Sequence, residues 1–190
     1  MDFPEKIIGQ KVTLERAKPT FALATELYAV VETSRESLLP WLPWAQKNHA
    51  AEDEFDYLLN WCEKNRKDNV GCAYIIRENV SGRLVGTVDF FSADEQNKSG
   101  EIGYWLGSAF VGNGYMDNAV ALLEKEIFNQ GFNRIVIGND TRNIRSANVA
   151  KRAGYHLEGV LRQNRWSEIE SCFVSTNIWA KIKDDLKKTD

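Results

Sequence analysis

The sequence predicts an α/β fold, a mixed sheet covered by helices, and three observations predict it. Two β-rich runs, residues 72–77 and 84–91, are joined by the turn-rich residues 79–82 and read as a hairpin. A third strand-like run, residues 101–106, leads through Gly112-Asn113-Gly114 directly into an amphipathic helix. Beyond that helix, strand and helix patterns alternate before two final strands, as in layered α/β domains.

Taken in order, residues 11–16 (KVTLER) alternate apolar and polar side chains, the period of a half-buried strand. Pro19 opens a helical stretch in which Phe21, Leu23, Ala24, Leu27, Tyr28 and Val31 share one face. The prolines of residues 40–44 (PWLPW) end it. Residues 52–67 form a second helical pattern, with Phe55, Leu58, Leu59 and Cys62 on one side. The hairpin follows, then the polar loop 93–100 and the strand 101–106. The helix after the glycine turn buries Met116, Ala119, Val120, Leu123 and Ile127 and ends at Gly131. Residues 134–138 are a strand, 144–153 a helix stopped by Gly154, 156–162 a strand and 171–180 the last strand, before a charged, frayed C-terminus.

The 190 residues suit one domain, residues 1–190, large enough to bury a core without staples. Hydrophobic residues at 43% and charged residues at 27% are those of a soluble globular chain. A formal charge of −3 gives no basic excess for nucleic acid and no attraction to anionic membranes. Cys62, Cys72 and Cys172 match no metal or redox spacing, and three cannot pair fully, so buried reduced thiols are expected. The first residues, MDFPEKIIGQ, carry no basic segment followed by an apolar one, and no apolar run is long enough to span a bilayer. A cytoplasmic location is expected, with no metal. His49 and His156 are isolated and receive no chemistry.

The informative stretch is Tyr104-Trp105-Leu106-Gly107 followed by Val111-Gly112-Asn113-Gly114-Tyr115-Met116. The first N–H groups of a helix lack intrahelical partners and sit at the positive end of its dipole. A glycine turn feeding such an end therefore makes a site for a phosphate-like anion. The alternative is a tight strand–helix connection that needs glycine only for the turn. Neither a P-loop nor the three-glycine dinucleotide fingerprint is present.

Here the chain resembles the GNAT superfamily of N-acetyltransferases, whose pyrophosphate loop reads [RQ]-x-x-G-x-[GA]. Gly114 matches the central glycine, while Val111 and Met116 depart from the ends of the pattern. The similarity extends to the branch that acetylates ribosomal-protein termini. It is carried by residues 39–44 (LPWLPW), 101–106 (EIGYWL), 143–146 (NIRS) and 154–159 (GYHLEG), in the expected order over nearly the whole chain.

The resemblance implies a mostly antiparallel central sheet and acetyl-coenzyme A as cosubstrate. Gly112, Asn113, Gly114 and Tyr115, with Val111 and Met116 at the ends, would bind pyrophosphate mainly through backbone. Trp105, Leu106 and Gly107 would hold the pantetheine arm and polarise the acetyl carbonyl. Asn143 would contact the arm, or else only cap the following helix. The tyrosine that protonates the leaving thiolate in many relatives is replaced by Ala150, so Ser146 is the candidate donor to the sulfur, the alternative being an ordinary first-turn serine. Glu101 is the candidate proton acceptor for the amine unless strand alternation turns it to solvent, and Glu158 is a poorer one. Trp41 and Trp44 either line an acceptor groove or pack a helix corner. Arg142, Arg145, Lys151 and Arg152 either meet the coenzyme's phosphates or form a solvated face.

The resemblance gives direct attack of an amine on the thioester. Deprotonating an α-amine at pH 7 costs only about 1–1.4 kcal/mol, against more than about 4 for lysine. The N-terminal amine of a ribosomal protein with a Ser or Ala terminus is thus the preferred acceptor. A small amine (polyamine, aminoglycoside or amine-bearing toxin) and a non-catalytic coenzyme A sensor are the alternatives. The resemblance also implies a homodimer.

Overall fold

The structure, a computed structural model, describes residues 1–46 and 49–188. An eight-stranded sheet forms the centre, in the order β1-β2-β3-β4-β5-β6-β8-β7. Its strands are β1 (Lys6–Ile8), β2 (Val12–Arg16), β3 (Cys72–Glu78), β4 (Leu84–Asp94), β5 (Ser99–Leu106), β6 (Arg134–Asp140), β7 (His156–Ser167) and β8 (Cys172–Ile182). All neighbours are antiparallel except β5 and β6, which are parallel.

That one parallel pair is short. It registers Ser99 with Arg134, Gly100 with Ile135 and Glu101 with Val136, and stops there. β5 runs on to Leu106 and β6 to Asp140, so the two strands diverge beyond Glu101. On its other side β5 stays paired with β4 as far as Leu106 and Gly86. The result is a wedge-shaped slot in the middle of the sheet.

Helix α1 (Phe21–Leu38) starts where the Thr20 side chain accepts the Leu23 N–H at 3.3 Å. It buries Ala24, Leu27, Val31 and Leu38 on one face of the sheet. Leu27 and Leu58 are both fully buried there, each contributing roughly 1.5–3 kcal/mol. The second helical stretch is continuous but changes pitch: α2 (Ala51–Asp56), a π-helical segment (Tyr57–Glu63) and α3 (Lys64–Lys67). Leu58 and Cys62 are buried as their spacing predicts, but across the wider π turn Leu59 is exposed and Glu54 is buried, contrary to the 3.6-residue reading. Phe21 is likewise exposed, in the first turn, with its ring against that of Phe55. On the opposite face, α4 (Tyr115–Asn129) buries Met116, Ala119, Val120, Leu123 and Ile127, as its pattern predicts. Helix α5 (Ile144–Arg152) packs beside it.

β1 escapes the sequence because three residues are too few to show a period. β7 runs to Ser167 rather than 162, since its residues are almost all exposed and carry no apolar alternation. Cys62 and Cys72 are buried, but Cys172, on the outer ribbon, is exposed. The C-terminus forms a 3-10 turn, Lys183–Lys188; Thr189 and Asp190 lie outside the described residues.

Candidate active site

Two cavities meet at the slot. The larger, about 1050 Å3, lies between the glycine turn, the end of β6 and the start of α5. The smaller, about 650 Å3, lies between β4, β5 and the first helices. Leu42, Tyr104 and Trp105 line both, which places the junction at the open edge of β5.

The glycine turn is built as the sequence implies. Gly112 has φ +90° and Gly114 +73°, backbone that other residues adopt only with strain. Gly114 is the N-cap of α4 and provides no side-chain acceptor, so the first N–H groups of the helix remain directed at the larger cavity. Val111, Gly112, Asn113, Gly114, Tyr115 and Met116 all line it. Lys11, just before β2, brings a cation to the same turn, its Nζ donating to the Asn113 carbonyl at 2.9 Å. Sequence reading missed Lys11 because it lies 102 residues away from its partner.

At the slot the backbone of β5 decides which groups are available. The Gly107 N–H donates to the Val85 carbonyl at 2.8 Å, toward β4. Backbone groups alternate sides along a strand, so those of Leu106 and Tyr104 face the slot. Gly107 lines neither cavity, and a Cβ there would lie 2.6 Å from the Val30 side chain. The structure therefore gives this glycine a packing role against α1. The loop that follows is pinned by Ser34, buried in α1, whose Oγ accepts the Ser108 N–H at 2.9 Å.

Asn143 caps α5, its Oδ1 accepting the Ser146 N–H at 3.0 Å, and both residues line the larger cavity. Buried Asn139 fixes the approach to that cap, accepting from Trp179 Nε1 at 2.8 Å and donating to the Asn143 carbonyl at 3.2 Å. Ser146 Oγ lies 3.1 Å from the Tyr104 hydroxyl, which also donates to the Ser146 carbonyl at 3.1 Å. Burial pushes the Tyr104 phenol up to about 12, so it stays protonated at neutral pH. Tyr104 sits inside the EIGYWL run, but only the fold shows that it meets Ser146.

Glu101 occupies the last paired rung of β5 and β6 and lines neither cavity. Glu158 is exposed and bonded to Arg134 at 2.7 Å. Trp44 and Trp41 separate: Trp44 lines the smaller cavity, edge-on to Trp105 at 6.0 Å, and Trp41 lines the larger. Of the basic residues, Arg145 and Arg152 line the larger cavity, Arg152 paired with Asp117 at 2.8 Å. Arg142 is engaged by Asp140 and Glu170, and Lys151 lies over the Trp179 ring.

The smaller cavity is lined by three carboxylates that sequence reading did not single out, Asp53, Glu54 and Asp89. Glu54 accepts from or donates to His49 Nε2 at 2.8 Å, and burial raises its pKa. Asp89, on β4, accepts the Tyr57 hydroxyl at 2.8 Å. The signal for Asp89 was a lone charge inside the apolar run 84–91. Among the described residues no group of His, Cys, Asp or Glu is arranged to hold a metal ion, and no helix is long and apolar enough to cross a membrane.

Comparison with known proteins agrees with this geometry. A family profile described as an acetyltransferase (GNAT) domain matches residues 12–156. The ribosomal-protein-serine acetyltransferase of Escherichia coli is 28% identical over 83% of this chain and 86% of its own length. Among solved structures, the microcin self-immunity acetyltransferase MccE, in complex with acetyl-CoA and AMP, superposes with a TM-score of 0.82 at 26% identity, covering 91% of this chain and 93% of that one. RimL, a ribosomal α-N-protein acetyltransferase solved with coenzyme A, reaches 0.85 at 24% identity over 95% and 99% of the two chains, a likeness of fold.

Proposed function

Because the chain belongs to the GNAT acetyltransferase family, we propose that it moves the acetyl group of acetyl-coenzyme A to a primary amine, acting as one domain, residues 1–190. The observation that carries this is the open edge of β5 leading straight to the uncapped N-terminus of α4. The pyrophosphate fits the N–H groups of Gly112 to Met116, with Lys11 beside them. The pantetheine amides can pair with the free groups of Tyr104 and Leu106, completing a ladder that β6 leaves open. Asn143 lies along the path of the arm. A backbone N–H at the slot would polarise the acetyl carbonyl, and such a donor is worth several kcal/mol when preorganised (about 3–4).

Ser146 would donate a hydrogen bond to the departing sulfur, a role supported by its place on the cavity wall beside the protonated hydroxyl of Tyr104. As acceptor we take the N-terminal amine of a ribosomal protein, by likeness to the Escherichia coli serine acetyltransferase, which also implies a cytoplasmic site of action. The second reading, a small-molecule amine, is favoured by the likeness to MccE. Trp44 lines the wall that would receive either acceptor. The exposed apolar residues Leu157, Leu161 and Phe173 of the β7–β8 ribbon support a homodimer, which light scattering at several concentrations tests.

The deciding experiment mixes the protein, acetyl-coenzyme A and a ribosomal stalk protein with N-terminal serine, then records the acceptor's intact mass. One acetyl group mapped to the α-amine is expected. No added mass despite coenzyme binding rejects that acceptor, and acetylation within a small-amine panel would then establish the second reading.

A further inference from the structure

The smaller cavity has a chemistry of its own. Asp53, Glu54 and Asp89 line it together with the rings of Trp44, Trp61 and Phe91, and among the described residues no lysine or arginine does. Carboxylates among aromatic faces attract a cation. Asp89 is the member nearest the centre of the sheet. Its Oδ2 accepts from Tyr57, whereas its Oδ1 is shielded from solvent and has no hydrogen-bond partner among the described residues. A buried carboxylate oxygen without a donor is costly, and a donor supplied by a ligand relieves that cost. The cross-strand neighbour of Asp89 is Gly103, which adds no side chain. Diagonal to it on the same face is Trp105, at the roughly 7–8 Å spacing of such pairs, and Trp105 lines both cavities.

We propose that Asp89 anchors the acceptor's ammonium group and takes its proton, so that the acceptor enters amine first through the acidic, aromatic cavity. This rests on the acetyl-transfer reading and names the group that handles the amine there. The ammonium gives one proton to the Asp89 carboxylate, and the freed nitrogen lone pair attacks the acetyl carbonyl carbon. The C–N bond forms and the C–S bond breaks. The thiolate takes up the nitrogen's second departing proton through the hydroxyls of Ser146 and Tyr104. Asp89 then returns its proton to water, and the products are the acetamide, the free thiol and one proton.

Burial raises the Asp89 carboxyl to about 7, with the Tyr57 hydrogen bond opposing the rise, a value suited to accepting a proton at neutral pH. The titratable groups around it are Tyr57 and Cys62 from the π-helical segment, Cys72 from β3, Glu54, Asp53 and His49 from α2 and its approach, and Glu101 and Tyr104 from β5.

The test uses Asp89→Asn, which keeps the shape and removes the charge. In the presence of coenzyme A, a peptide with N-terminal serine should bind the variant roughly tenfold more weakly by calorimetry. The analogue with hydroxyl in place of the α-amine should bind both proteins alike, and coenzyme A affinity should be unchanged. In the pH profile of kcat/KM the enzyme's ionisation near neutrality should vanish, leaving the amine's own. Tyr57→Phe, which removes the one donor to Asp89 among the described residues, should move that ionisation to higher pH. Equal peptide binding with an unchanged ionisation would overturn the role of Asp89. A wild-type protein that binds coenzyme A yet acetylates neither the peptide nor an amine panel would overturn the transfer reading, and the role of Asp89 with it.

Discussion

Lys11 offers the sharpest test of the coenzyme site, because it supplies a cation beside a turn where Val111 stands in place of the family pattern's Arg or Gln. Its Nζ is held 2.9 Å from the Asn113 carbonyl, directly over the turn. A phosphate resting on the N–H groups of that turn comes within about 5 Å of the ammonium. At that separation two unit charges interact by roughly 0.8 kcal/mol in water and roughly 3 at an effective dielectric of 20. Lys11 is exposed, so the effect falls toward the lower figure, about 1 kcal/mol, or about fivefold in affinity. Lys11→Met keeps most of the stem and removes the charge. Calorimetry with coenzyme A should show that loss at low ionic strength and a shrinking difference as salt is added. Equal affinities at low salt would refute the placement of the pyrophosphate beside Lys11.

Ser146→Ala should leave coenzyme A binding intact and lower kcat by roughly ten- to a hundredfold, at the low end of what a positioned acid contributes; stopped-flow release of thiol measures it. Tyr104→Phe should give a smaller loss of the same kind, since the serine hydroxyl survives. Asp89→Asn should change stability in a pH-dependent way. The folded carboxyl titrates near 7 instead of 3.8, so its burden is absent below pH 3.8, grows as the pH rises and is complete above 7. Three units at 1.36 kcal/mol each bound the gain in the variant at about 4 kcal/mol at pH 8, with none near pH 3.5, and urea unfolding at the two pH values reads it. Gly114→Ala forces a side chain into φ +73° with its Cβ 2.9 Å from Lys11 Nζ. About 1 kcal/mol of strain follows, a loss of about 2–4 °C in Tm, together with weaker coenzyme binding.

The sequence was most legible where one residue type does one local task. Gly112 and Gly114 announced a turn that only glycine tolerates, and the helix after it buries the residues its period selects. Asn143 and Ser146 were singled out by the resemblance, and the cap that the sequence offered as the alternative for Asn143 is present, its Oδ1 accepting the Ser146 N–H. What escaped depends on distance along the chain or on a change of helical pitch. Lys11 meets Asn113, Tyr104 meets Ser146 and Tyr57 meets Asp89 only once the sheet is assembled. Across the π-helical segment Leu58 and Cys62 stay buried as their spacing predicts, but Leu59 turns out and Glu54 turns in, so the wall of the smaller cavity could not be drawn in full from a 3.6-residue wheel. Gly107 was read with the coenzyme segment because it ends the motif, yet its hydrogen bond to Val85 and its contact with Val30 turn it inward.

The brevity of the β5–β6 pairing has a mechanical consequence. The sheet is two leaves, β1 to β5 and β6-β8-β7, clasped along only three rungs, from Ser99 to Glu101. A ligand arm seated in the slot adds rungs to that clasp and couples the leaves. Amide exchange should therefore slow on coenzyme binding across both leaves, including β8, which lines the slot only at Thr176. The cosubstrate, on this view, works as a removable stave in the protein's own sheet.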